Sequence, residues 1–140
     1  DSYLRRLISL QGPDIIKIIT GIRGCGNTYL LFTQFRNYLL CSGIDESHII
    51  EMRFDDPRNE SFRDPDVFCE YLESRMSSGG TYHILLDEVS LLGDFEAVLN
   101  GLLYGRNADE DVTGSFARHL AGDVATVLRG RGHENRRSPL

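Results

Sequence analysis

The sequence predicts a three-layer α/β domain around a mostly parallel central sheet, and three observations predict it. Short apolar runs alternate with stretches of helical spacing, the first such run leads through a glycine-rich turn into a helix, and a later run ends in two adjacent carboxylates. At 140 residues, with 41% hydrophobic and 26% charged, the chain has the means to bury a single core.

Each element has its own signal. Residues 2–10 read as a short helix with Leu4, Leu7 and Ile8 on one face, a brace outside the sheet closed by Gly12-Pro13. Residues 15–20 are apolar and β-branched apart from Lys17, as suits a strand covered on both faces. Beyond the glycine turn, Leu31, Phe35, Tyr38 and Leu39 recur at helical spacing until Ser42-Gly43. A second strand is expected over residues 48–54, stopped by Asp55-Asp56-Pro57. Asp64-Pro65 then reads as an N-cap followed by proline at the first helical position, with Val67, Phe68, Tyr71 and Leu72 as the buried stripe. Ser77-Ser78-Gly79-Gly80 breaks that helix. A third strand spans residues 82–86, and a third helix carries Phe95, Val98, Leu99, Leu102 and Leu103. Where a fourth strand should follow stand Asp109, Glu110 and Asp111, poor strand formers that are costly to bury. The expectation there is a very short strand or a compromised local fold. No repeat or long linker divides the chain, so residues 1–140 read as one domain.

Composition also excludes functions. A net charge of −6 argues against a broad nucleic-acid surface, which needs clustered lysine and arginine. Apolar runs are too short to span a membrane, and the first residues lack the apolar stretch of a secretion signal. Cys25, Cys41 and Cys69 are odd in number and widely spaced, which favours a reducing cytoplasm over a disulfide framework, and four scattered histidines suggest no structural metal. The chain opens at Asp1 without an initiator methionine, as a piece of a longer protein would.

The chemistry concentrates in the glycine turn, Gly21-Ile22-Arg23-Gly24-Cys25-Gly26-Asn27-Thr28. Its form is that of a phosphate-binding loop, G-x-x-x-x-G-K-[ST], in which glycines let backbone N–H groups surround phosphates at the start of a helix. Gly21, Gly24 and Gly26 meet that need, with Arg23 and Cys25 between them, and Thr28 offers the hydroxyl for Mg²⁺. Asn27 stands where lysine would reach the β- and γ-phosphates. Losing that charged hydrogen bond costs roughly 1.5–3 kcal/mol, about ten- to a hundred-fold in affinity.

The run His83-Ile84-Leu85-Leu86-Asp87-Glu88 fits a second Mg²⁺-binding element, with Asp87 in the metal shell and Glu88 polarising the attacking water. A strand that simply ends in acids where it meets water would read the same. Thr113-Gly114-Ser115 either brings a hydroxyl near the γ-phosphate or caps the next helix through Ser115. The tail Arg129-Gly130-Arg131-Gly132-His133-Glu134-Asn135-Arg136-Arg137 is a solvated segment or carries Arg131 as a finger to a neighbour's γ-phosphate.

Together, residues 18–28, Leu85-Leu86-Asp87-Glu88-Val89, Val112-Thr113-Gly114-Ser115 and Arg129-Gly130-Arg131 resemble a family of prokaryotic AAA-type predicted ATPases. That family joins an N-terminal P-loop ATPase domain to a C-terminal domain of unknown function. Ser138-Pro139-Leu140 looks like the start of its Pro-Leu-Ser-Phe segment, which puts the C-terminal domain beyond this sequence. The resemblance implies residues 21–28 as Walker A, Asp87 and Glu88 as Walker B, Ser115-Phe116 at sensor 1, ATP and Mg²⁺ as cofactors, and a homo-oligomer or protein partner recruited through the C-terminal domain. This chain departs from the family at Asn27 for lysine, Gly24 for arginine, Ser90 for glutamine and Phe116 for the sensor asparagine, and in carrying Glu110 and Asp111 in a normally apolar strand. The expectation is an ATP-binding domain with weakened hydrolysis; the alternative is a non-catalytic scaffold of the same fold. Nothing resembles a guanine-reading N-K-x-D element or a kinase's substrate segment, so GTPase and kinase readings rank lower.

Overall fold

A computed structural model describes residues 2–11, 16–19, 30–105, 107–114 and 124–126. Five strands form one sheet in the order β2-β3-β4-β1-β5: β1 (Ile16–Ile19), β2 (Ile49–Arg53), β3 (Tyr82–Asp87), β4 (Ala108–Thr113) and β5 (Val124–Thr126). The first four run parallel, and β5 pairs antiparallel with β1. The alternation of strand and helix therefore produced the expected α/β sheet.

Both faces of the sheet are covered, as continuous apolar strands require. On one face α1 (Ser2–Ser9), a π-helical turn (Leu30–Phe35) and α2 (Arg36–Cys41) bury Leu7, Leu31, Phe35 and Leu39 against Ile19, Ile49 and Leu85. On the other, α3 (Pro65–Arg75) and α4 (Phe95–Gly105) bury Phe68, Leu72, Leu99 and Leu102 against Ile16, Ile18, Ile50, Ile84 and Leu86. Each such side chain contributes about 1.5–3 kcal/mol by leaving water.

Local signals set the boundaries. The Asp64 carboxylate accepts the Asp66 N–H at 2.8 Å, satisfying one orphan donor at the start of α3, and Pro65 occupies the first turn where its missing donor costs nothing. Gly80 closes the break after α3 at φ 94°, a left-handed conformation suited to glycine. Gly93 lets the turn before α4 touch the start of α3: its N–H donates to Arg63 O at 2.8 Å, and a Cβ there would lie 3.1 Å from Pro65 Cδ.

The expectation for the fourth strand is corrected. β4 is a regular six-residue strand in the centre of the sheet, buried at every position. Its acids are divided between the two faces by the two-residue period of a strand. Asp109 and Asp111 share a face with Lys17 of β1, whose ammonium is wholly buried and donates to Asp109 Oδ1. Asp111 Oδ1 lies 3.7 Å from the same ammonium, an ion pair too long for a hydrogen bond, and His83 Nδ1 stands 3.4 Å from Asp109 Oδ2 without hydrogen-bond alignment. Burial raises the Asp111 carboxyl well above the ordinary range, with the Lys17 charge opposing and Asp109 adding. The Lys17 ammonium thus gives the two acids of this face a buried partner. Glu110 points to the opposite face, between the register neighbours Ile16 and Ile84, and burial raises its carboxyl well above the usual value. Lys17, the one charged residue of β1, is what lets β4 form.

Candidate functional site

In an open parallel sheet, ligands bind beyond the carboxyl ends of the strands at the point where the winding changes direction. Here the chain leaves β1 for β2 at one edge and leaves β4 for β5 at the other, so the change of direction falls between the neighbours β1 and β4. In sequence residues 21–28 follow β1, and β3 ends beside β4 on the carboxyl rim of the sheet.

Asp87 closes β3 with only 5% of its surface exposed. Its backbone carbonyl accepts the Phe54 N–H at 3.0 Å, which ties the strand end to β2. Its side-chain Oδ1 accepts the hydroxyl of Thr113, the last residue of β4, at 2.6 Å. The same Thr113 oxygen accepts the Glu88 N–H at 2.9 Å. One hydroxyl therefore spends its hydrogen on the carboxylate and a lone pair on the next amide, fixing both acids of the pair.

Glu88 is the first residue beyond β3 and adopts φ 58°, ψ 51°, the left-handed region. A residue with a Cβ is held there at roughly 1–2 kcal/mol, a strain that concentrates at functional sites. Its half-buried side chain accepts the Ser90 hydroxyl at 3.3 Å from within the short 3₁₀ turn Val89–Leu91. The turn redirects the chain from the strand end into α4, leaving Asp87 and Glu88 as the acidic corner of the rim.

Of the sequence-predicted site residues, the structure places Asp87 and Glu88 together at the carboxyl rim. Gly21, Arg23, Gly24, Cys25, Gly26, Asn27, Thr28, Ser115 and Arg131 lie outside the described residues. Thr113 is the site residue the sequence reading undervalued, since it assigned the polar role to Ser115. The signal lies in the sheet register: Leu86 and Val112 pair, so the next residues, Asp87 and Thr113, end adjacent strands side by side. Among the described residues no group of three or more His, Cys, Asp or Glu is placed to hold a metal, and no helix is long and apolar enough to cross a membrane.

The family model of an AAA domain matches residues 14–140. An uncharacterized protein of Haemophilus influenzae is 33% identical over 141 aligned residues, covering all of this chain and 35% of that protein. An uncharacterized protein of Methanocaldococcus jannaschii is 27% identical over 128 residues, covering 91% of this chain and 27% of that protein. The chain thus spans about a third or less of the length of these relatives. No solved structure matches. With the family model covering nearly the whole chain and the carboxylate pair standing on the rim of a parallel sheet, the chain belongs to the AAA domain family.

Proposed function

We propose that this domain binds ATP with Mg²⁺ on the carboxyl rim of its sheet and that hydrolysis is weakened by Asn27. The observation that carries the reading is the Thr113 clamp, which holds a nearly buried Asp87 carboxylate against the end of β4, the strand next to β1, which the glycine loop follows in sequence. Mg²⁺ takes oxygen ligands and is commonly held by one or two protein groups plus phosphate oxygens. A single clamped carboxylate with a hydroxyl from Thr28 fits that donor set. When bound, the cation would neutralise charge on the phosphates.

The chain's own residues divide the remaining work. Backbone N–H groups of Gly21, Arg23, Gly24, Cys25, Gly26 and Asn27 bind the phosphates, and Glu88 orients water through its carboxylate. Ser115 and Arg131 are assigned to the γ-phosphate end. Asn27 withholds the charge that stabilises phosphoryl transfer, so binding outlasts turnover. A homo-oligomer or protein partner belongs to this reading as the neighbour that Arg131 would reach.

Asn27 also supports the second reading, a scaffold that keeps the fold without nucleotide. Calorimetric titration of the domain and of Asn27→Lys with ATP and Mg²⁺ separates the two. Binding by both, tighter in the variant by about ten- to a hundred-fold, supports the nucleotide site. Heat from neither sinks it and leaves the scaffold.

A further inference from the structure

On the face away from α1 and α2, helices α3 and α4 diverge to leave a groove of about 410 Å³, within the range of sites that hold a ligand group. Leu72 and Leu102 form its buried floor, and Val98 is half exposed beside them. Asp66, Glu73 and Asp94 stand on its rim, all exposed, and no lysine or arginine lines it among the described residues. The negative field is felt inside: burial pushes the half-buried Cys69 thiol up, and Asp66 and Glu73 push it further.

Gly101 gives an independent indication. It lies in the middle of α4, where glycine is less favourable than alanine, and it lines the groove. A Cβ built there would meet nothing within 4 Å. The packing of the described residues therefore gives no reason for glycine at this position, whereas a body lying along the groove would.

We propose that the α3–α4 groove docks a cationic amphipathic helical segment of a partner protein. Apolar side chains of that segment would seat on Leu72, Val98 and Leu102, and its lysines or arginines would face Asp66, Glu73 and Asp94. A helix laid between two helices is a recurring recognition mode, and opposite charge on the rim fixes its orientation and hastens encounter. The groove is joined to the acidic corner of the rim by a short path, because Asp94 follows Glu88 through the single 3₁₀ turn Val89–Leu91.

The test is an amide NMR titration of the isotope-labelled domain with a helical peptide bearing leucine on one face and lysine on the other, beside its glutamate counterpart. The expected result is saturable shifts confined to residues 65–75 and 95–105 with the lysine peptide alone. Gly101→Leu, checked as folded by the same spectrum, should weaken that binding at least about ten-fold, since it fills the space a seated helix needs. Asp66→Lys with Glu73→Lys should transfer binding to the glutamate peptide. Equal binding of both peptides, shifts scattered over the acidic surface, no saturable shift, or indifference to Gly101→Leu would each overturn the proposal. Movement of the same amides with protein concentration alone would overturn it in favour of a second copy as occupant.

Discussion

Thr113 and Asp87 end neighbouring parallel strands and share a hydrogen bond of 2.6 Å in which the hydroxyl serves the carboxylate. The bond is buried, and the oxygen that donates it also holds the Glu88 N–H. Thr113→Val keeps the shape and removes both interactions, leaving a buried carboxylate oxygen and an amide without that partner. The expected loss of stability is about 1–3 kcal/mol in urea unfolding. On the proposed function, Mg²⁺-ATP affinity should fall about ten-fold while Thr113→Ser retains most of it. Equal nucleotide affinity in the valine variant would show that the clamp only supports the strand ends.

Glu88 makes a second prediction, because its left-handed backbone inverts an ordinary preference. Alanine normally exceeds glycine in stability, since glycine loses more freedom on folding. At φ 58° the Cβ is the greater burden, so Glu88→Gly should be more stable than Glu88→Ala by up to about 1 kcal/mol. Paired thermal melts read the sign directly. Both variants lack the carboxylate assigned to water, so any ATP turnover of the parent should disappear from each, with nucleotide binding kept.

Lys17 offers the sharpest packing test. Among the described residues its ammonium is the one lysine or arginine cation paired with Asp109 and Asp111, and removing one partner of a buried pair strands the other. Lys17→Met should cost about 3–5 kcal/mol in urea unfolding. The double change Lys17→Met with Asp109→Leu should recover much of that loss, since an apolar pair of similar volume avoids the desolvation of two charges. A double-mutant cycle measures the coupling, and simple additivity would contradict the assigned pairing.

What could be read from the sequence follows the same physics. The start of helix α3 was legible to the residue, because Asp64 and Pro65 act locally and need no tertiary partner, whereas Val67, expected in its buried stripe, is exposed. Strands β1 and β3 announced themselves as apolar runs, since both of their faces are covered. β4 was misread because strand propensity is set by neighbours: the residue that permits Asp109 and Asp111 to be buried is Lys17, on the first strand of the chain, and only sheet order brings them together. Thr113 was half legible, named as part of a polar stretch but not as the partner of Asp87, because strand register does not show in a linear sequence. β5 had no signal of its own, being three residues paired antiparallel along the edge of β1.

Glu110 gives the clearest pH dependence. Both its carboxylate oxygens are buried and lack a hydrogen-bond partner among the described residues, and burial raises its folded pKa well above that of an unfolded glutamate, about 4.3. The folded state therefore holds a proton that the unfolded chain releases above that value. Its contribution is fully present at low pH and falls as pH climbs from the unfolded value toward the raised folded one, by about 1.4 kcal/mol per unit for one group. Glu110→Gln keeps the volume and cannot ionise, so its stability relative to the parent should rise steadily across that window and level off beyond it. Asp111 is shifted in the same direction and remains in both proteins, so the parent and variant each keep a slope, and Glu110 is read from the difference between them. Urea midpoints at a series of pH values from acid to mildly alkaline supply that difference. A constant offset at every pH would mean that Glu110 titrates in the fold as it does in the unfolded chain, and that burial does not raise it.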